Sequence, residues 1–459
     1  MSSVLWSCEE LRVIFDKTDI AAFQATGVSI DTRTLKPGDL YIALKGENLD
    51  GHAYVKKAFE AGASAALVCE DFKGEAAGPL IKVPCTMDAL YGLAKASRLR
   101  SKATIIAITG SAGKTTTKDM LAHVLERVGA THKALASFNN HIGVPLTLAS
   151  MPLSTVYGIF ELGMNHTGEI EPLAKLVSPH YACITTIAEA HMGLVGSITA
   201  IAQEKASIFK GLVGPSKAVL NLDAPCIEVL LLQSATYSKK VLTYGCEKGD
   251  LKLLKSLDDH LAYELGAKKY DFSWNFKGEH NRLNALGVLS ICHGLGLDIK
   301  KANERLSTLF PTPGRGQIVE VFLKDKTITL MDESYNANPS SMKAALKNLI
   351  DFKATGRKIA LLGDMLELEA FSQPYHEELA DIVSWAAIDQ IFTVGMDMKA
   401  YFFPKLEKSK KGAAFESVER VFDILKDSLK ENDVLLIKGS KGSFVYKVAA
   451  EFLSYQKRG

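Results

Sequence analysis

The sequence is short of the features that would make it a secreted, membrane-bound or nucleic-acid-coating protein. Its seven cysteines, Cys8, Cys69, Cys85, Cys183, Cys226, Cys246 and Cys292, are odd in number, and no C-x-x-C pair occurs. That excludes a disulfide framework or a zinc site of ordinary spacing and predicts small buried thiols in a reducing compartment. Charge of one sign is also missing. Lys plus Arg total 54 and Asp plus Glu 52, a formal net charge of +2. A near-neutral chain has no electrostatic reason to coat nucleic acid or an anionic membrane. The longest uncharged run, Ala134 to Phe160, is broken by Asn139, Asn140, Pro145 and Pro152. A bilayer-spanning helix needs roughly 20 predominantly apolar residues without such breaks. The start, MSSVLWSCEELRVIF, lacks a basic n-region, so no secretory signal is read there. The expectation is a cytoplasmic protein with no nucleic-acid or membrane partner. No coiled-coil heptad or repeat is visible, which permits a monomer.

What is present is ordinary globular composition, 47% hydrophobic and 23% charged, over 459 residues. At about 150 residues per domain, the length predicts three domains. Residues 1–100 mix short strand-like runs (DLYIAL, SAALVCE, PLIKVP) with helical stretches, His52 to Ala61 and Met87 to Leu99. Residues 101–311 begin with the β-branched run ATIIAIT and alternate strands (TVYGIFEL, YACITTI, KAVLNLD) with helices. Residues 312–459 follow the Pro/Gly cluster PTPGRGQ with a third series, TITLMDE, RKIALLGD, IDQIFTVG and DVLLIKG. The fold class read from this pattern is α/β: a smaller N-terminal α/β domain, a central P-loop-type mostly parallel sheet and a C-terminal Rossmann-like sheet. Open α/β sheets bind ligands at the carboxyl ends of their strands. Six polar, Gly-containing segments lie at such exits: TGSAGKTTT, ELGMNHTGEI, AEAHMG, DESYNANP, GDMLELE and KGSKGS. They are expected to form two facing halves of one active site.

The strongest motif is strand, then Thr109-Gly110-Ser111-Ala112-Gly113-Lys114-Thr115-Thr116, then a helix marked by Met120, Leu121, Val124, Leu125 and Val128. Small residues let backbone N–H groups approach phosphate oxygens at a helix N-terminus. Lys114 would reach the β/γ-phosphates, and the Thr115 hydroxyl would bind Mg2+. The usual first glycine is Ile108 here, so the loop is a G-x-x-G-K-T variant of an ATP site. Glu161 and His191 end or follow strands of the same sheet and could complete a metal site, since a hard cation favours oxygen ligands and tolerates imidazole. Lys205, on the helix after the His191 loop, reads from its pattern alone as a helix-surface lysine. Asn281 and Asn284 lie one helical turn apart, where paired amides could bond a base edge or simply sit on a helix surface.

These residues carry a resemblance. TGSAGKTTTK, NNHIGVPLT, ELGMNHTGEI, EHNRLNAL, PGRG, DESYNANPSSM, GDMLELE and KGS follow the order seen in the Mur ligases of peptidoglycan synthesis, over essentially the whole chain. An Asp-Asn-Pro-Arg signature, typical of the member that adds the third amino acid, does not occur; Asn336-Ala337-Asn338-Pro339 stands instead. The resemblance implies an ATP- and Mg2+-dependent ligase that joins D-alanyl-D-alanine to UDP-N-acetylmuramoyl-tripeptide through an acyl phosphate. Other readings are an amide ligase of Mur or folylpolyglutamate type with another acceptor, or a nucleotide-binding regulator.

By resemblance, Lys114 and Thr115 take the phosphate and Mg2+ positions, and Glu161 and His191 the second-metal positions. Lys205 matches a lysine that relatives carry as a carbamate, which would make it a metal ligand. Lys114, Lys205 and His191 are the implied catalytic residues. Asn281 and Asn284 fall on the adenine side, with Arg315 and Glu333 as nucleotide contacts from the last domain. Asp31, Thr32, Arg33, Asn48, Asp50, His52, Asn139, Asn140 and Asn165 fall on the UDP-sugar and peptide side. Asn336, Asn338, Lys438 and Ser440 fall where the last domain meets the acceptor. Three departures stand out. Glu333, with Asp332 before it, replaces an aspartate. Lys441 replaces an arginine. Gly193 stands where an acid often follows the histidine.

Overall fold

The structure is a computed structural model describing residues 4–46, 49–134, 137–190, 192–384 and 387–455, with the side chain of residue 384 left out. Three main sheets follow one another along the chain. The first has four parallel strands, Gly27–Ser29, Asp39–Ile42, Ala65–Cys69 and Leu80–Val83, in that order. The expected strands are all present, and the stretch read as one helix from His52 is a 3-10 turn, Gly51–Tyr54, running into the helix Val55–Glu60. Helix Thr86–Arg100 then leads to the second sheet.

The central sheet has nine strands. Seven run parallel, with Thr104–Thr109 between Tyr181–Ile184 and Tyr157–Glu161. At one edge His260–Leu265 and Lys268–Ser273 add an antiparallel extension. The strand Thr104–Thr109 reads as continuous hydrophobic sequence because both its faces are covered. Ile105 and Ala107 enter one core with Phe160 and Ile184, while Ile106 and Ile108 enter the other with Met120 and Leu121. Full burial of each such isoleucine contributes about 1.5–3 kcal/mol. The helix after the P-loop ends at Leu125, so Val128, expected on its apolar face, lies beyond it and is exposed.

The third sheet has six strands in the order Gln317–Leu323, Lys326–Glu333, Val434–Lys438, Lys358–Gly363, Gln390–Val394 and Lys411–Phe415. Only its first pair is antiparallel. Ile359 and Leu361 pack on one side and Ala360 and Leu362 on the other, the same two-sided burial as in the central sheet. The first unit is tied to the second by Trp6, whose indole N–H donates to the Ala149 carbonyl at 2.9 Å, and by Tyr91, whose hydroxyl donates to His141. The third unit meets the second where Gly193 faces Leu368 and Glu369; a Cβ on Gly193 would lie 2.8 Å from Glu369 side-chain carbons. That contact is a physical reason for glycine where an acid was anticipated.

Candidate active site

The P-loop is built by its glycines. Gly113, at φ +80°, stands immediately before helix Lys114–Leu125 in a backbone conformation that favours glycine. A Cβ there would lie 2.5 Å from Asn284 Oδ1. The loop is pinned from the neighbouring strand exits. Ser111 Oγ donates to the Ala188 carbonyl at 3.0 Å and Thr185 Oγ1 to the Ala112 carbonyl at 2.5 Å. Thr109 Oγ1 donates to the Leu162 carbonyl at 2.7 Å. Lys114 Nζ folds back onto the Gly110 carbonyl at 2.7 Å. Burial pushes its pKa down, opposed by the Glu161 carboxylate.

Glu161 is buried at 2% exposure. Its Oε2 accepts from Thr115 Oγ1 at 2.7 Å and its Oε1 from Asn139 Nδ2 at 2.8 Å. Asn139, expected on the peptide side, therefore spends its amide on the carboxylate at the strand end. Lys118, one turn beyond Lys114, is 1% exposed, with its ammonium 4.0 Å from Glu161 and bonded to the Ala134 carbonyl. The set offered to a cation is a hydroxyl and a buried carboxylate, both hard oxygen donors, which suits Mg2+. His191 lies outside the described residues. Among the described residues no three His, Cys, Asp or Glu side chains cluster as a self-sufficient metal site.

A cavity of about 710 Å3 opens between the central and third sheets. Five of the six strand-exit segments line it: Ser111–Thr116 from the P-loop, Glu161 and Gly163–His166, Glu333 and Tyr335–Asn338, Leu366 and Glu367, and Lys438 with Ser440–Gly442. The sixth, AEAHMG, contributes no lining residue among those described. Asn281 and Asn284 reach the cavity from helix Glu279–Gly294, beside His280, and are buried rather than surface amides. Asn281 Nδ2 donates to the Lys277 carbonyl at 2.9 Å.

From the third sheet, Arg315 stacks over the Tyr335 ring, its Cζ 3.8 Å from the centroid. The two acids before Tyr335 divide the work. Asp332 is buried and accepts from Gly314 N and Ser334 N, fixing the turn, while Glu333 lines the cavity 3.8 Å from Lys438. Lys438 donates to the Asn336 carbonyl at 3.0 Å, and burial lowers its pKa against the opposing pull of Glu333. Ser440 Oγ donates to the Ala337 carbonyl at 3.2 Å. Asn338 Oδ1 accepts from Ser341 N at 2.8 Å, capping helix Pro339–Asp351, so its side-chain oxygen is committed to that helix. Asn140 likewise turns its oxygen to the N–H groups of Ile142 and Gly143, and Asn139, Asn140 and Asn165 all line the cavity.

Two groups fall elsewhere. Lys205, read from its helix pattern as a surface residue, is 1% exposed. Burial, then the neighbouring Lys114 ammonium, pushes its pKa well below the usual lysine value, with Glu204 opposing. The pattern missed this because the helix Ile198–Ala206 is covered on the side that carries Lys205. The N-terminal candidates do not line the large cavity. Arg33 forks onto Asp31 at 2.6 Å in the open, with Thr32 half-buried between them. His52 uses both ring nitrogens inside its own domain, Nδ1 on Asp50 Oδ1 at 2.6 Å and Nε2 accepting from Cys69 N at 2.9 Å. That removes its ring nitrogens as free ligand donors. Asn48 lies outside the described residues. Lys118, Ser137, His280 and Glu367 are site residues that sequence reasoning missed. For Lys118 a signal existed, since four residues after Lys114 it falls on the same helix face.

A phosphate cradle on one α/β sheet, faced across a polar cavity by lysines and amides of a second such sheet, is the architecture of a P-loop ligase. The comparisons with known proteins agree with that class. The Mur ligase family catalytic domain matches residues 24–98, the Mur ligase middle domain residues 108–292 and the Mur ligase glutamate ligase domain residues 314–441. The chain belongs to the Mur ligase family. It is 34% identical to the UDP-N-acetylmuramoyl-tripeptide--D-alanyl-D-alanine ligase of Rickettsia prowazekii, over 97% of this chain and 99% of that one. It is 32% identical to the protein of the same name from Escherichia coli, covering 92% of each. A crystal structure of MurF from Acinetobacter baumannii superposes with a TM-score of 0.86 at 26% identity, covering 98% of this chain and 99% of the other.

Proposed function

We propose that this chain is the ATP-dependent ligase that joins D-alanyl-D-alanine to UDP-N-acetylmuramoyl-tripeptide, acting in the cytoplasm on these small molecules. The observation that carries this reading is the single cavity in which the P-loop of one sheet faces Asn336, Lys438 and Ser440 of another. Residues 1–100, 101–311 and 312–459 are taken as the UDP-sugar, ATP and acceptor units.

In this reading the backbone of Gly110–Gly113 and Lys114 hold the ATP phosphates, with Asn281 and Asn284 at the base and Arg315 and Glu333 on the nucleotide from the opposite wall. Thr115 and Glu161 would hold Mg2+, which when bound supplies positive charge against the phosphates and the incoming carboxylate. Lys114 moves from the Gly110 carbonyl to the phosphate, where a lysine with a lowered proton affinity still donates. The tripeptide carboxylate attacks the γ-phosphorus, ADP leaves, and the resulting acyl phosphate is attacked at carbon by the dipeptide amine. Phosphate then departs with the former carboxylate oxygen, leaving an amide. An acyl phosphate hydrolyses if wet, so a cavity walled by two domains protects it. Burial pushes the Lys205 ammonium toward its neutral form, and a neutral lysine amine that took up carbon dioxide as a carbamate would offer carboxylate oxygens beside Lys114. Phosphate release measured with each substrate omitted tests the reading: turnover requires both acceptor and tripeptide. Release with a different amino acid in place of the dipeptide overturns the acceptor assignment.

A further inference from the structure

Glu204 is a buried carboxylate that takes no part in the scheme above. It stands on helix Ile198–Ala206 immediately before Lys205 and is 8% exposed. Both of its oxygens are spent on the backbone of a segment remote in sequence. Oε2 accepts from Gly168 N at 2.8 Å and Oε1 from Ile170 N at 2.9 Å. These two amides flank Glu169 at the end of ELGMNHTGEI, the strand exit whose Gly163–His166 and Glu169 form part of the cavity wall on the central sheet's side. Local chemistry explains why a remote carboxylate is used here. Helix Ile170–Val177 begins without a side-chain cap of its own. An ordinary N-cap side chain bonds the N–H of the second or third helical residue, and the third here is Pro172, which has no N–H. Ile170, the first, is fully buried, so its N–H must find a partner inside the protein. Glu204 supplies it, and a carboxylate at a helix N-terminus makes a stronger bond than a neutral acceptor would.

The turn that Glu204 holds carries Asn165 and His166. Asn165 N donates to Glu169 Oε2 at 2.8 Å, a bond within the turn that sets its shape but not its place. Gly168 is at φ +89° with no atom within 4 Å of where a Cβ would stand, so the glycine serves the backbone conformation rather than a close approach. The place of the turn is set from outside by Glu204, whose helix is packed firmly on the one it caps. Ile201, Ala202, Ile208 and Phe209 share one core with Ile170, Leu173 and Ala174. Gly211, at the end of the same segment, leaves no room for a Cβ against the Ala174 carbonyl. Successive residues of a helix point about 100° apart. One helix can therefore set Lys205 beside Lys114 and Glu204 on the Asn165–Glu169 turn.

We propose that Glu204 is a positioning residue: its carboxylate clamps the Gly168 and Ile170 amides and so presents Asn165 and His166 to the UDP-muramoyl tripeptide. The substrate named here rests on the ligase reading; the clamp does not. The test uses the full-length enzyme as wild type, Glu204→Gln and Glu204→Asp, with steady-state kinetics beside hydrogen exchange read at the Gly168 and Ile170 amides. Glutamine keeps the volume, but its NH2 group would meet one of the two N–H donors. Losing that charge-assisted bond should speed exchange at these amides about tenfold and raise KM for the tripeptide on the same scale, with kcat lowered by less. KM for ATP should change by no more than about twofold, since the P-loop keeps its own anchors. Glu204→Asp keeps the charge one methylene short and should fall between wild type and Glu204→Gln in both readouts. An effect routed through Lys205 would appear instead in KM for ATP and be relieved by added formate or acetate. Either of those results, or exchange at Gly168 and Ile170 equal to wild type, would overturn the proposal. So would a lowered melting temperature with KM for the tripeptide unchanged, which marks a clamp that serves stability alone. Wild-type enzyme without acceptor-dependent turnover would overturn the ligase reading and leave the exchange rates to decide the clamp.

Discussion

Lys118 and Glu161 face each other 4.0 Å apart with their side chains each 1% exposed, a buried ion pair directly behind the P-loop threonine. Glu161 also accepts from Thr115 and Asn139, so it is held ready to meet a cation without being an isolated buried charge.

Removing the lysine should expose that dependence. Deleting one partner of a buried pair costs about 3–5 kcal/mol where the other charge is left bare, and the donors Thr115 and Asn139 on Glu161 should hold the loss toward the lower end. Lys118→Met should therefore melt well below wild type in chelator. Added Mg2+ with ATP should recover part of the loss, since a ligand binding only the folded state stabilises it. Calorimetry with and without Mg2+-ATP checks this; an unaltered melting temperature in chelator contradicts it.

Lys114→Ala should abolish turnover, measured as phosphate release, because it removes the ammonium that sits on the Gly110 carbonyl at the phosphate loop. Lys205→Ala should lose most activity and regain part of it with added formate or acetate, which replace the carboxylate-like group. A mass increase of one carbamate on wild-type Lys205, absent from the alanine variant, gives a second readout.

His376 is fully buried and fixes the loop that carries Leu366 and Glu367 into the cavity. Its Nδ1 proton goes to the Ser372 carbonyl at 2.8 Å, and its Nε2 accepts from Met365 N at 3.2 Å. Glu367 and Glu369 hold φ of +66° and +46° in that loop, a strain of about 1–3 kcal/mol each that the packing must offset. His376→Phe leaves the Met365 N–H buried and unpaired, a cost of about 1–3 kcal/mol. The variant should melt lower and show a raised KM, read by thermal denaturation and kinetics together.

Burial raises the thiols of Cys183 and Cys292 to about 12. An acid whose folded pKa is raised keeps its proton while the unfolded chain loses it. Their contribution to stability is thus intact below the ordinary thiol range and falls as pH climbs from there toward 12. Unfolding midpoints in urea should drop over that window. Replacing both thiols with alanine should flatten the slope. At pH 8, alkylation followed by mass spectrometry should leave these two thiols unmodified in the native protein.

Much of this was legible in the sequence because periodicity and turn chemistry are local. The buried strand before the P-loop, the helix after it and the Gly-rich exits are each specified by neighbours in the chain. The antiparallel edge strands His260–Leu265 and Lys268–Ser273 were not, since in Lys268–Ser273 exposed and half-buried residues alternate without a strong apolar run. The burial of Lys205 and Lys118 was hidden for another reason. A lysine inside a helix reads as solvent-facing until the packing of other elements is known. Glu204, His52 and Asn338 show the same limit: hydrogen-bond partners remote in sequence, or a local cap, decide what a polar side chain has left to offer. His52 and Asn338 proved more committed to their own folds than the motif implied.

The acyl-phosphate route is decided by the fate of one oxygen. With the terminal carboxylate of the tripeptide labelled with oxygen-18, turnover in the presence of ATP and D-alanyl-D-alanine should place one labelled oxygen in the released phosphate, because that oxygen bridges carbon and phosphorus in the acyl phosphate. Labelled phosphate formed together with ADP and the pentapeptide product is the predicted result. Unlabelled phosphate alongside product would contradict it.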